Sequence, residues 1–157
     1  PKSEFEYRES ELKRLVSEML PQSKTNIIVP DYNDREFYEA VKGFEDIPEG
    51  GQRCFNCYEL RLTKAMEYAQ KNNFEYFTNT LSISPYKNAE KLNEIGERLA
   101  QKCGCLKWLP SDFKKKNGYK RSIELSKKYN LYRQDYCGCI FSKAERDKAK
   151  KNKTTGA

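Results

Sequence analysis

The sequence predicts an α/β chain: a three-layer sandwich on a mostly parallel sheet, whose N-terminal strand is missing from the residues present. Two observations point there. Short apolar runs alternate with longer segments of helical period, and Pro or Gly separates them. The length, 157 residues, suits one domain. Alternating strand and long helix favours parallel pairing with helices on both faces. Only three strands are legible, which is thin for such a sheet, and the first residue is Pro1. A further strand is therefore expected upstream.

The elements follow in order. Ser3 and Glu6 have capping-box spacing and open a helix to about Leu20, striped by Leu12, Leu15, Val16 and Met19. Pro21 stops it. Residues 26–29, Asn-Ile-Ile-Val, read as a short apolar strand. Asn33 and Glu36 form a second capping box, opening a helix through about Val41. Gly43 to Gln52 is a loop broken by Pro48, Gly50 and Gly51. A helix from about Asn56 to Lys71 turns Leu62, Ala65, Met66 and Ala69 inward. Phe74 to Thr78 is a strand. Leu92, Ile95, Leu99 and Cys103 mark the next helix, which Gly104 ends. Cys105 to Leu109 is the third strand, and Tyr119 to Tyr129 a basic helix. Residues 1–142 are expected to be the domain. Residues 143–157 are expected to be a basic tail, a frayed helix passing into disorder.

Hydrophobic residues are 37% and charged residues 34%, so a modest core lies under a heavily charged surface. Histidine is absent. That removes Ser-His-Asp and Cys-His nucleophiles, His-ligated haem and Cys₂His₂ zinc. No run nears the ~20 apolar residues of a membrane helix, and no secretory signal is visible. A cytoplasmic protein without a membrane partner is expected. Residues 1–112 hold 16 Lys and Arg against 19 Asp and Glu, whereas residues 113–157 hold 14 against 4. This asymmetry points to a polyanion, nucleic acid first, with a solvated basic face as the alternative.

The six cysteines fall in three pairs: Cys54-x-x-Cys57, Cys103-x-Cys105 and Cys137-x-Cys139. Zinc and iron–sulfur sites both use such thiolates, and spacing does not separate them. Cys103 continues the inward period of its helix and Cys105 opens an apolar strand, so both read as core. Cys54 and Cys57 follow a Gly-Gly loop where a helix begins, and helix N-termini favour thiolates. Gly138 lets the backbone approach a metal closely. Cys54, Cys57, Cys137 and Cys139 are therefore the expected metal ligands, converging in space.

Two further stretches carry chemistry. The loop 78–88 follows a strand and offers Thr78, Thr80, Ser82 and Ser84, either to a sugar or phosphate or to its own backbone. The segment 112–121 sets Lys114, Lys115, Lys116, Lys120 and Arg121 around Phe113 and Tyr119. Such cations neutralise phosphates, and aromatics stack on unpaired bases. Arg133 is expected on the same face. No G-x-G-x-x-G or Walker A pattern is present.

Four stretches stand out together: Glu49 to Leu62 (EGGQRCFNCYELRL), Phe77 to Asn88 (FTNTLSISPYKN), Asp112 to Ser122 (DFKKKNGYKRS) and Tyr132 to Cys139 (YRQDYCGC). In this order they resemble one family, the QueH-type epoxyqueuosine reductases. The resemblance covers the chain to about Ser142. It implies reduction of epoxyqueuosine in the tRNA anticodon loop to queuosine, and an α/β sandwich. It also implies a [4Fe–4S] cluster, a further metal ion (iron) nearby, and an external electron donor. The family's C-x-x-C and C-x-C match Cys54, Cys57, Cys137 and Cys139; Cys103 and Cys105 lie outside its motifs. A Cys-Cys-x-x-Cys stretch that family members carry near the N-terminus is absent from this sequence. Opening an epoxide to an alkene takes two electrons and two protons, and a thiolate-bound metal with an open position polarises the oxygen. With no His, Asp112, Asp135, Tyr119 and Tyr136 are the candidate proton donors. A zinc-stabilised RNA-binding module without catalysis is the alternative reading.

Overall fold

The computed structural model describes residues 1–154. It is α/β: among these residues there are six α-helices, one 3-10 turn and a two-stranded parallel sheet. The chain divides into two compact units, one formed by residues 33–123 and one by residues 1–32 with the segment from Glu124 onward.

The unit of residues 33–123 is built around an apolar core. Helix α2 (Arg35–Val41) and helix α3 (Gln52–Lys71) open it. The second capping box is not closed: the Asn33 side chain accepts from the Arg35 N–H at 3.1 Å, and Asp34 takes the cap position. Helix α3 starts four residues earlier than Asn56. The Gly51 carbonyl already accepts from the N–H groups of Cys54 and Phe55, at 2.9 and 3.2 Å. Tyr58, Leu62 and Ala69 are buried, with Ala65 and Met66 packed against the same core.

Strand β1 (Tyr76–Phe77), helix α4 (Ala89–Cys103) and strand β2 (Lys107–Trp108) form a β–α–β unit. The strands pair in parallel, Tyr76 with Lys107 and Phe77 with Trp108. Both are shorter than the sequence suggests. Phe74 and Tyr76 are exposed, so the apolar run is only partly core. On α4, Leu92, Ile95 and Leu99 are buried as their spacing predicts. Asn88 caps its start by accepting from Lys91 N–H, and Gly104 ends it in the left-handed region. Gly96 is required by a close approach, because a methyl there would overlap the Trp108 ring. Cys103 packs partly against the core, but Cys105 is exposed, against the core reading. The Gly104 turn hands the inward position to Leu106. Helix α5 (Gly118–Lys128) carries the chain from one unit into the other.

The second unit contains helix α1 (Lys2–Met19) and helix α6 (Ile140–Thr154). Its construction is polar. No residue of α1 is buried, and Leu12 and Met19 of the expected apolar stripe are exposed. What α1 presents to residues 129–137 is instead Glu4, Arg8, Glu11 and Arg14. The first capping box also fails, since the helix begins at Lys2 and Ser3 falls inside its first turn. Residues 26–29 are not a strand: Ile28 is 58% exposed and the run pairs with no described strand. Residues 143–154 continue α6 as regular helix. The disorder expected at the extreme C-terminus falls on residues 155–157, outside the described residues.

Candidate functional site

Cys54 and Cys57 sit in the first two turns of α3. Cys54 is buried, and the Gly50 N–H donates to its sulfur at 3.3 Å. Gly50 holds a φ of 93°, which lets the loop turn its N–H back onto the helix. One turn on, Arg61 Nε donates to the Cys57 sulfur at 3.3 Å. Each sulfur therefore meets an N–H donor in the first two turns of the helix. Arg61 stands four residues after Cys57, on the same helical face. That spacing was readable in the sequence, but the arginine was not singled out.

Arg61 also lines an open cleft of about 500 Å³. Glu36 and Phe37 of α2, Lys64 of α3, and Thr78 and Thr80 after β1 contribute other walls. Glu36 and Lys64 pair across it at 3.0 Å. The cleft lies at the carboxyl end of β1, where α/β sheets bind ligands.

The hydroxyl loop splits into two roles. Thr78 and Thr80 line the cleft, although Thr78 donates to the Leu109 carbonyl at 2.7 Å. Ser84 is half-buried and accepts from the Tyr86 N–H. Ser82 has no exposed surface. Its N–H donates to the Asn79 side chain, and its hydroxyl bonds Ser111 at 3.2 Å and accepts from the Phe113 N–H. Ser82 is thus a tie between the β1 and β2 loops, correcting its expected place among substrate contacts. Asn93, which sequence reasoning missed, completes the tie. Its Oδ1 accepts from Trp108 Nε1 at 3.0 Å and from the Ser111 N–H at 2.9 Å.

The basic segment divides similarly. Lys114 Nζ donates to the carbonyls of Ser82 and Lys87 and pairs with Asp112 at 3.2 Å, so it fastens the loops. Lys115, Lys116, Lys120 and Arg121 are exposed. Arg133 is exposed in the other unit.

Cys137 and Cys139 lie in the polar unit, both half-buried, with sulfurs 3.4 Å apart. Gly138 between them has a φ of 107°, and its face lies against the Arg8 guanidinium. Arg8 donates to the carbonyls of Cys137 and Tyr136 at 2.9 and 3.1 Å. Buried Ser142 closes the turn: its hydroxyl accepts from Cys137 N–H and its N–H donates to Cys139 sulfur. Arg8 and Ser142 stand outside the cysteine motifs, and only the folded chain reveals them.

The four candidate proton donors divide two and two. Asp112 and Tyr119 belong to the apolar unit, Asp135 and Tyr136 to the polar one. Burial would raise the Asp112 carboxyl, but the hydrogen bond and charge of Lys114 hold it below its ordinary value. Lys150, then Arg146, hold Asp135 low. Tyr136 is buried between the guanidiniums of Arg8 and Arg146, 5.6 and 4.7 Å from its ring centre. Burial, then its hydrogen bond to Glu4, pushes its phenol up to about 12. Tyr119 is partly exposed on α5.

Residues 1–145 match the model of the family described as epoxyqueuosine reductase QueH. The chain belongs to that family. It is 41% identical over 144 residues to the epoxyqueuosine reductase QueH of Streptococcus pyogenes serotype M1, covering 90% of this chain and 56% of that one. The Staphylococcus epidermidis reductase is 38% identical over 146 residues, covering 90% and 61%. The Thermotoga maritima reductase is 35% identical over 149 residues, covering 93% and 75%. The chain thus spans little more than half the length of the first of these relatives. Among the described residues no three Cys, Asp or Glu side chains are grouped to hold a metal ion. The two pairs that match the family's cysteine motifs offer sulfurs, with N–H donors at Cys54, Cys57 and Cys139, a soft donor set of the kind that zinc and iron–sulfur sites both use.

Proposed function

We propose that the chain contributes to an iron–sulfur reductase that converts epoxyqueuosine in the tRNA anticodon loop to queuosine, the final step in making that nucleoside. The observation that carries this is the pairing of family membership with two dithiol pairs, in which the sulfurs of Cys54, Cys57 and Cys139 meet backbone or guanidinium N–H groups. Cys54, Cys57, Cys137 and Cys139 are the proposed ligands of a [4Fe–4S] cluster, with a second iron nearby. A cluster held there would supply the two electrons one at a time and would be recharged by an external donor. The residues of the chain do the rest. Arg61 holds the Cys57 sulfur and lines the cleft, which suits a modified base whose hydroxyls meet Thr78 and Thr80. Lys115, Lys116, Lys120, Arg121 and Arg133 are the proposed phosphate contacts. The two protons consumed as the epoxide oxygen leaves as water come from among Asp112, Tyr119, Asp135 and Tyr136. Location in the cytoplasm, where tRNA is modified, belongs to the same reading.

The test is metal and sulfide content with the visible spectrum of anaerobically purified protein. Iron and sulfide with broad visible absorption, lost in Cys54→Ser and Cys137→Ser alike, is the expected result. A colourless zinc protein that binds tRNA would overturn the reductase and leave an RNA-binding module.

A further inference from the structure

The hydroxyl loop ends in a turn whose backbone is fixed and whose largest side chain is exposed. Ser84, Pro85, Tyr86 and Lys87 form a β-turn, in which the Lys87 N–H donates to the Ser84 carbonyl at 3.1 Å. Pro85 sets the backbone torsion at the second position of the turn. The Tyr86 N–H donates to the Ser84 hydroxyl at 3.3 Å. Lys87 then ties the turn to two other segments. Its largely buried side chain pairs with Glu49 at 2.9 Å, and its carbonyl accepts from Lys114 Nζ at 3.3 Å.

Tyr86 is 77% exposed, the most of any large apolar side chain among the described residues. Tyr38, Tyr68 and Tyr76 of the same unit are exposed too, but Phe37, Phe74 and Lys107 respectively pack against their rings. An exposed tyrosine alone is ordinary surface. Here the backbone is already ordered, so capturing a flat partner freezes little beyond the ring's own torsions. The charge around the turn narrows the partner further. Lys114, bound to the Lys87 carbonyl, shares the Asp112 carboxylate with Lys115, whose side chain is 79% exposed. Lys116 beside it is also exposed.

An outward aromatic face near outward cations suits a partner with flat rings on an anionic backbone. Bases inside a duplex have both faces covered by their neighbours, so the partner is an unpaired base of a loop. Tyr86 does not line the cleft walled by Arg61, Thr78 and Thr80. The base that meets it is therefore not the reacting one. We propose that, on the reading that this chain acts on a tRNA loop, Tyr86 is a stacking platform for an unpaired nucleobase distinct from the base that enters the cleft. Lys115 and Lys116 take phosphates of the same loop.

Fluorescence anisotropy of the intact chain with a labelled anticodon stem-loop RNA tests this. Tyr86→Ala should raise Kd by roughly fivefold or more, the loss of one base–aromatic stack, whereas Tyr86→Phe should stay within about twofold. The log–log salt slope should be the same in Tyr86→Ala as in the wild type, because no phosphate contact is lost. The urea midpoint should also be unchanged, since the side chain is exposed. Abasic substitution of the loop nucleotides, one at a time, should find a position where the wild type loses affinity and Tyr86→Ala loses nothing more. Wild-type affinity in Tyr86→Ala, or an equal loss in Tyr86→Phe, would overturn the platform and leave the tRNA reading standing. Abasic losses that add to the Tyr86→Ala loss at every position would overturn it too. A wild-type chain that does not bind the stem-loop would sink the tRNA reading itself, and the platform with it.

Discussion

The two units hold the same chemical object, a close cysteine pair, by opposite means. Cys54 and Cys57 ride on a helix that enters an apolar core containing Cys54 itself with Tyr58, Leu62, Leu92, Ile95, Leu99 and Trp108. Their geometry follows from a rigid element anchored by hydrophobic burial. Cys137 and Cys139 ride on a turn fastened by hydrogen bonds to Arg8 and Ser142, in a unit where Tyr136 and Ser142 are the described residues that reach full burial. Burial is insensitive to pH and salt, whereas charge-assisted clamps depend on both. One pair should therefore be held robustly, and the other conditionally.

The largest effect expected from this contrast is in the cores. Leu92→Ala should destabilise the chain by about 3 kcal/mol, from lost burial and the cavity left behind. Leu12→Ala on α1 should stay within about 0.5 kcal/mol, since Leu12 is 49% exposed. Urea unfolding midpoints measure both, and similar losses would erase the distinction between the units.

The polar clamp should show its own signature. Arg8→Ala should loosen the 129–142 segment by roughly 1–2 kcal/mol, allowing for its partial exposure. Faster amide hydrogen exchange there, with α3 and α4 unchanged, is the measurement. The same segment should respond to pH. The Glu4 carboxyl, which burial would raise, lies below its ordinary 4.5 because the hydrogen bond and charge of Arg8 outweigh burial. Asp135 lies below 3.8. A depressed carboxyl stabilises the fold above its unfolded value, and that stabilisation fades as pH falls through the folded one. Protection of 129–142 should decline as pH drops below about 4.5. Tyr136 has the opposite sign. Its stabilisation is complete below the ordinary 10.0 and should be lost as pH rises toward about 12. A flat exchange profile through both windows would break the picture of a charge-dependent unit.

The smallest effect separates lysines that neighbour each other in sequence. Lys115→Ala and Lys116→Ala should each lower the log–log salt slope of tRNA binding by about 0.7–0.9, one phosphate contact apiece. Lys114→Met should leave that slope nearly unchanged and lower stability instead, because its ammonium is spent on Ser82, Lys87 and Asp112. Slope measurements by fluorescence anisotropy and urea titrations of the three variants decide between these roles.

Local patterns were legible where the fold follows them. The spacing of Leu92, Ile95 and Leu99 announced α4 and its buried face, and Gly104 announced its end. The C-x-x-C at the start of α3 and the C-x-C around Gly138 were visible as chemistry. Patterns whose outcome depended on a distant partner were misread. Residues 26–29 look like a strand, but a strand exists only with a neighbour to pair with. The stripe on α1 looks apolar, but the segment it meets offers carbonyls and a tyrosine ring, so Arg8, Glu11 and Arg14 face it.

The sequence by itself determined helices α1 to α5, the parallel β–α–β order, the cysteine pairs and the basic end of the chain, because each rests on periodicity, spacing or composition within a few residues. Only the tertiary structure decided which hydroxyl became the buried Ser82 and which the cleft-lining Thr78 and Thr80. It alone placed Lys114 inside and Lys115 outside, turned Cys105 to solvent, and brought Arg8 to Cys137 across 129 positions. The physical reason is that burial and hydrogen-bond partners are set by what packs alongside, and a residue's neighbours in space are not written in its neighbours in sequence.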